Sequence, residues 1–251
     1  MDLRGFAKFS LVDYPGRIAA IVFTGGCNLR CPFCHNPCLV LDPTSQPRIT
    51  EREFFKFLNT RKGLLEGVVV SGGEPTLQKD LGEFIAGIKE RGFLVKLDTN
   101  GTRPEVLGPL LANHSIDDLG IDYKVPAARY FEVAADPAQG ELFAANVKKS
   151  IRMALECGVT PDIRTTVHRE LLAPADLAQM WNELQELGVE RWYLQQFNPV
   201  EVLADGLEKR ETYADSELAK IAHWLNPAGK VHVRGLHGSE IQYDARRHAE
   251  L

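Results

Sequence analysis

The sequence predicts an α/β protein in which six strand–helix units build a TIM-like barrel, closed or partial, and three observations carry that expectation. Short apolar runs alternate with amphipathic helical patterns along the chain. Three of the helical patterns end in a glycine followed by an apolar residue: Arg91-Gly92-Phe93, Cys157-Gly158-Val159 and Leu187-Gly188-Val189. That is the order expected of a left-handed C′ glycine leading into the next strand. The chemically unusual residues gather just after the apolar runs, where the βα loops of parallel strands converge. Strand–helix–strand repetition implies parallel strands with right-handed crossovers. The number of units favours a barrel over an open sheet, although the pattern fits both.

Taken in order, the strands are Ile18–Phe23, Val68–Val70, Leu94–Asp98, Leu119–Tyr123, Ile163–Val167 and Trp192–Phe197, each bounded by Gly, Pro or polar residues. Between and after them lie the helices. Leu81, Phe84, Ile85 and Ile88 follow i, i+3, i+4, i+7, as do Leu177, Met180, Trp181 and Leu184, and Leu218, Ile221, Ala222 and Leu225. Val147, Ile151, Ala154 and Leu155 form a fourth stripe. Core packing accounts for these stripes, and Cys157 at the end of the last is expected in the core. No low-complexity linker breaks the chain, so one domain is expected over residues 1–251, with a core of about 16–234 and a polar tail over 235–251.

Composition limits the function. The chain has 251 residues, 29 Lys+Arg against 34 Asp+Glu for a net charge of −5, 44% hydrophobic and 25% charged residues. This is ordinary globular composition, not disorder. An acidic balance without a long basic run argues against nucleic acid as partner. The longest uncharged stretch, Ile18–Leu29, is shorter than the roughly 20 residues a membrane helix takes. Asp2, Arg4 and Lys8 leave no apolar secretory core, so no membrane association and a cytoplasmic location are expected.

Five cysteines stand at 27, 31, 34, 38 and 157. The first four lie too close together for a disulfide framework spread over a domain of this size, and a metal or cluster in a reducing compartment is the better reading. Cys27-Asn-Leu-Arg-Cys31-Pro-Phe-Cys34 is C-x3-C-x2-C, directly after the first strand. Three thiolates on a four-iron cubane would leave one iron open for a substrate. Cys38 keeps two other readings alive: a closed four-cysteine cluster, and a zinc site.

The remaining strand ends carry Ser71-Gly72-Gly73-Glu74-Pro75, Asp98-Thr99-Asn100-Gly101, Asp122-Tyr123-Lys124, Arg164-Thr165-Thr166 and Gln195-Gln196. Two glycines after a strand allow close backbone approach to a ligand, and the carboxylate of Glu74 suits an ammonium group. One βα unit after the cysteine loop, Gly-Gly-Glu tips the balance toward the open cluster. Asp98, Asp122 and Lys124 also suit a strand-end salt-bridge network.

The C-x3-C-x-Phe-C loop and Gly72-Gly73-Glu74-Pro75 resemble the radical S-adenosylmethionine (SAM) enzymes, and the resemblance runs from about Gly5 to Gln196. Gly5–Gly16 and Cys34-His35-Asn36-Pro37 are similar to the glycyl-radical-enzyme activases, above all the anaerobic ribonucleoside-triphosphate reductase-activating proteins. Asp98–Gly101 and Asp122–Lys124 also resemble pyruvate formate-lyase-activating enzymes. The fold this implies is the partial (βα)6 TIM-like barrel of the radical SAM type.

The resemblance implies roles residue by residue. Cys27, Cys31 and Cys34 would hold a [4Fe–4S] cluster whose fourth iron is chelated by the amino and carboxylate groups of SAM. Phe33 would flank the adenine, and Gly72, Gly73 and Glu74 would cradle the methionine amino end. Asp98 and Thr99 with Asp122 would hold a monovalent cation beside the carboxylate, and Lys124 and Arg164 would contact the same carboxylate or the ribose. His35, Asn100 and Gln196 complete the expected SAM-facing set. One electron then splits a carbon–sulfur bond of SAM, and the 5′-deoxyadenosyl radical takes hydrogen from a backbone glycine of a partner glycyl radical enzyme. The electron would come from a low-potential donor such as flavodoxin or ferredoxin.

Two departures stand out: Gln195-Gln196-Phe197 replaces a histidine of those activases, and Cys38 is outside the shared motif. No further cysteine pairs suggest a second cluster domain. The alternatives are a radical SAM enzyme acting on a small molecule, such as a deazapurine synthase, and a closed four-cysteine iron–sulfur or zinc protein.

Overall fold

The structure is a computed structural model describing residues 1–236 and 238–241. The expected polar tail over 235–251 falls largely outside the described residues. The chain divides into two compact units, Met1–Arg30 with Asn36–Ile121 and Asn146–Pro161, and Cys31–His35 with Asp122–Ala145 and Asp162 onward.

The first unit opens with strand β1 (Leu3–Ser10), antiparallel to β2 (Ala19–Thr24). Helices α1 (Pro37–Leu41) and α2 (Glu51–Asn59) follow, then β3 (Gly67–Gly72), α3 (Leu81–Lys89), β4 (Leu94–Thr99), α4 (Pro104–Ala112) and β5 (Asp118–Asp122), whose last residue opens the second unit. Strands β2 to β5 pair in parallel and in sequence order, for example Ile21 with Val69 and Lys96 with Asp118. Their near-continuous apolar composition reflects burial on both faces: Val68, Val69, Val70, Val95 and Leu97 have no exposure. Helix α3 buries Leu81, Phe84, Ile85 and Ile88, the expected stripe, and Phe84 stacks on Phe55 of α2 at 5.3 Å. The far part of α5 (Gly140–Glu156) buries Val147, Ile151 and Ala154 here.

The second unit carries β6 (Asp162–Val167), α6 (Pro174–Glu186), β7 (Trp192–Gln196), α7 (Asp215–Leu225), β8 (Val231–Arg234) and β9 (Glu240–Ile241). Strands β6, β7 and β8 are parallel, and β9 returns antiparallel. One sheet face is apolar: Ile163, Val167, Trp192, Leu194, Val231 and Val233 are buried, and Trp181 of α6 stacks on Trp192 with 3° between the planes. Residues of the opposite parity, among them Asp162, Arg164, Tyr193, Gln195, His232 and Arg234, are only half buried. This strict alternation makes one face core and leaves the other polar for chemistry.

All six expected strands form, and Gly92, Gly158 and Gly188 adopt φ of +87°, +75° and +86°, the left-handed C′ conformation their positions implied. Cys157 corrects the expectation of a core residue, because it is exposed just past α5.

Candidate active site

The loop after β2 is laced to the loop after β3. The amide of Gly73 donates to the carbonyl of Thr24, and that of Glu74 donates to the carbonyl of Gly26, both at 2.8 Å. The lacing explains the paired glycines. A Cβ on Gly72, whose φ is +121°, would lie 2.2 Å from the Thr24 nitrogen, and one on Gly73 would lie 2.0 Å from the Gly26 oxygen. Their small size therefore serves the approach of one backbone to another, one residue before Cys27.

Glu74, expected to help cradle the methionine amino end, already has partners within the protein. It is fully buried, and four donors consume it. Oε1 accepts from the Thr76 amide at 3.0 Å and hydroxyl at 2.5 Å and from the Thr99 hydroxyl at 2.7 Å, while Oε2 accepts from the Asn100 amide at 2.7 Å. Burial pushes its carboxyl up despite these bonds. Glu74 thus ties the loop after β3 to the loop after β4.

Asn100 continues the chain of bonds. Its Nδ2 donates to Asn28 Oδ1 at 2.9 Å and reaches Cys27 Sγ at 3.9 Å, and its Oδ1 accepts from the amide and hydroxyl of Thr102 at 3.0 and 2.7 Å. Cys27 Sγ also receives the Leu29 amide at 3.4 Å. Amide donors aimed at a sulfur suit a thiolate ligand. Asp98, nearly buried at the end of β4, is paired with the ammonium of Lys96, whose side chain is fully buried.

In the second unit, Cys31 is buried and Cys34 half buried, and the Cys34 amide donates to the Cys31 carbonyl at 3.0 Å to form a turn. The amides of Leu203 and Ala204 hold this turn through the carbonyls of Cys34 and Pro32 at 3.2 and 2.9 Å. Phe33 is buried, with Lys124 Nζ 5.7 Å from its ring centroid. Asp122 receives Lys124 Nζ on Oδ2 at 3.1 Å and Arg164 Nε on Oδ1 at 2.7 Å. Burial works to raise the Asp122 carboxyl, but Lys124 and Arg164 outweigh it and hold it well below the usual carboxylate range. Arg164 also lies 3.9 Å from Asp162 through a terminal nitrogen. Arg234 binds Asp162 through both terminal nitrogens at 3.2 Å and lies 4.1 Å from the Tyr193 ring.

His35 meets the carbonyl of Asn198 through Nε2 at 3.2 Å, and burial lowers its imidazole despite that bond. Its ring lies 5.8 Å from Phe197, which takes an edge contact from the buried His168 at 4.8 Å. Gln196 donates through Nε2 to the Tyr213 carbonyl at 2.6 Å, and its buried Oε1 has no hydrogen-bond partner among the described residues. Cys38 sits exposed in the first turn of α1. Among the described residues, no three His, Cys, Asp or Glu side chains converge to hold a single metal ion.

Sequence reasoning missed Asn28, Thr102 and Lys96. A lysine inside an otherwise apolar strand was the available signal for Lys96; the other two had none, because their partners are 72 to 74 residues away or inside the same loop.

A model of the radical SAM superfamily matches residues 21–176. The chain belongs to the radical SAM superfamily. Members of the superfamily use a [4Fe–4S] cluster and SAM. This radical SAM protein is 32% identical over 218 residues to a Methanocaldococcus jannaschii protein described as a candidate glycyl-radical enzyme activating enzyme, covering 86% of the chain and 88% of the relative. It therefore falls among the glycyl-radical enzyme activating proteins. A Staphylococcus aureus pyruvate formate-lyase-activating enzyme is 37% identical over 103 residues, 39% of this chain and 41% of that enzyme. Among solved structures, Streptococcus suis SuiB bound to precursor peptide SuiA matches with a TM-score of 0.62 at 15% identity over 86% of the chain, which spans 48% of SuiB. The anSMEcpe structure with bound AdoMet matches at 0.61 and 16% identity, over 84% of this chain and 61% of that one. At such identities the likeness shows the fold: α/β with a parallel sheet, as in radical SAM proteins. Among the described residues, no helix is long and apolar enough to cross a membrane.

Proposed function

We propose that Cys27, Cys31 and Cys34 hold a [4Fe–4S] cluster, that SAM is bound beside it, and that the chain installs a glycyl radical on a partner glycyl radical enzyme, an anaerobic ribonucleoside-triphosphate reductase. When bound, the cluster supplies the electron that cleaves SAM, received from a flavodoxin- or ferredoxin-type donor. The protein contributes position, charge and exclusion of water.

The observation that carries the reading is the lacing of Glu74 to Gly26 at 2.8 Å, which sets the Gly72–Gly73 backbone one residue from the first cluster cysteine. With the Glu74 carboxylate consumed, the methionine ammonium is assigned to the backbone carbonyls of Gly72 and Gly73. The ammonium of Lys124 and the guanidinium of Arg164, both held by Asp122, suit the SAM carboxylate. Phe33 offers an apolar ring to the adenine, and Gln196 Oε1 is a buried acceptor for a hydroxyl or amino group, in place of the histidine of related activases. His35, held by the Asn198 carbonyl, is assigned to the same SAM-facing set.

The test is anaerobic. The reconstituted, reduced protein is mixed with SAM and anaerobic ribonucleoside-triphosphate reductase, and a glycine-centred doublet in the electron paramagnetic resonance spectrum is expected. SAM cleavage without a doublet on any glycyl radical enzyme would move the chain to small-molecule chemistry. No SAM cleavage at all would overturn the reading.

A further inference from the structure

The monovalent cation implied for Asp98, Thr99 and Asp122 does not fit the residues as they stand. Asp98 is already paired with the Lys96 ammonium, and Lys96 has no exposure. Residues 96 and 98 share one face of β4, so the pairing follows from strand geometry. The Thr99 hydroxyl donates to Glu74 at 2.7 Å and accepts the Gly101 amide at 3.1 Å. Each oxygen of Asp122 carries a protein cation, Lys124 on one and Arg164 on the other. A metal cation of this kind needs several oxygen donors, whereas Asp98 Oδ1, the Thr99 hydroxyl and both oxygens of Asp122 each face an N–H group.

We propose that the Lys96 ammonium stands in for that cation. A lysine in a buried parallel strand is costly unless a carboxylate compensates it, and Asp98 does so. The arrangement places an ammonium against Asp98 without an ion from solution. This inference rests on the SAM-binding reading above and adds that SAM binding is independent of potassium and sodium.

The experiment measures SAM affinity of the reconstituted, oxidised protein, which cannot cleave SAM, by equilibrium dialysis in potassium, sodium and tetramethylammonium buffers of equal ionic strength. The wild-type affinity is expected to agree within about two-fold across the three salts. In Lys96→Ala, where a small cation has room to enter, affinity is expected to fall by about ten-fold in tetramethylammonium and to recover in potassium or sodium. Lys96→Met, which keeps the bulk and loses the charge, is expected to fall without recovery, and iron content and circular dichroism report folding of both variants. A rise of about five-fold or more on adding potassium to wild type would overturn the proposal even if neither variant folds. Unchanged affinity in a folded Lys96→Ala would overturn it too. Wild type that binds no SAM in any salt would instead overturn the SAM-binding reading.

Discussion

The side-chain amide of Asn100 stands 3.9 Å from the sulfur of Cys27, so the loop after β4 reaches that sulfur as well as Asn28 beside it. A hydrogen bond to a thiolate ligand withdraws charge from it and raises the reduction potential of what it binds. Asn100→Ala should therefore shift the cluster midpoint to more negative potential, and activity should fall by about ten-fold or more. A redox titration followed by electron paramagnetic resonance checks this. An unchanged midpoint would mean that the amide acts only on Asn28 and Thr102.

Gly73→Ala forces a Cβ to within 2.0 Å of the Gly26 carbonyl oxygen and must part the two laced loops. We expect a stability loss of about 2–3 kcal/mol with a clear loss of SAM affinity. Gly92→Ala is the comparison. Its φ is +87°, but nothing lies within 4 Å of its Cβ, so it should cost about 1–2 kcal/mol and leave SAM affinity unchanged. Denaturant titration with SAM-binding measurements separates the two, and equal effects on affinity would contradict the lacing argument.

The same lacing shows where sequence stops informing structure. Strands β2 to β5 were readable because burial on both faces made them apolar runs, β6 and β7 because apolar and polar residues alternate, and the C′ glycines because positive φ selects glycine. Strand β1 was not: only Leu3 is fully buried, while Lys8 and Phe9 are exposed, so no alternation survives. Helix α4 hides behind Gly108 and Pro109, which read as a break. Helix α2 did carry a signal, the capping box of Thr50 and Glu53 before Phe54 and Leu58. In the site, the cysteine and Gly-Gly-Glu motifs are local and so visible. The role of Glu74 is set by Thr99 and Asn100, 25 and 26 residues away, and only folding brings them together.

Asp98→Ala strands the buried Lys96 ammonium without its partner, and should destabilise the protein by about 3–5 kcal/mol. Adding Lys96→Met removes the orphaned charge, so the double variant should be more stable than Asp98→Ala alone. Denaturant midpoints of the four proteins in the cycle decide it. Additive losses would show that the two residues are not coupled.

Asp122 gives the fold an acid-sensitive contribution. Its carboxyl lies below the usual range in the folded state, so the unfolded chain binds the proton first as pH falls. The stabilisation is therefore full above the ordinary carboxylate pKa of about 3.9 and is lost progressively below it. Stability measured from neutral pH to about pH 3 should fall less steeply in Asp122→Asn than in wild type at the acid end. Parallel curves would assign the acid sensitivity to other groups.

The central claim is an iron site that three cysteines leave open for SAM, and electron–nuclear double resonance on the reduced, reconstituted protein with SAM labelled by nitrogen-15 in its amino group tests it most directly. A hyperfine coupling between the cluster and that nitrogen is the expected result, and it should persist in Cys38→Ser, whose thiol is exposed in α1. No coupling in wild type, with iron lost on replacing Cys38, would show a cluster closed by four thiolates and contradict the account.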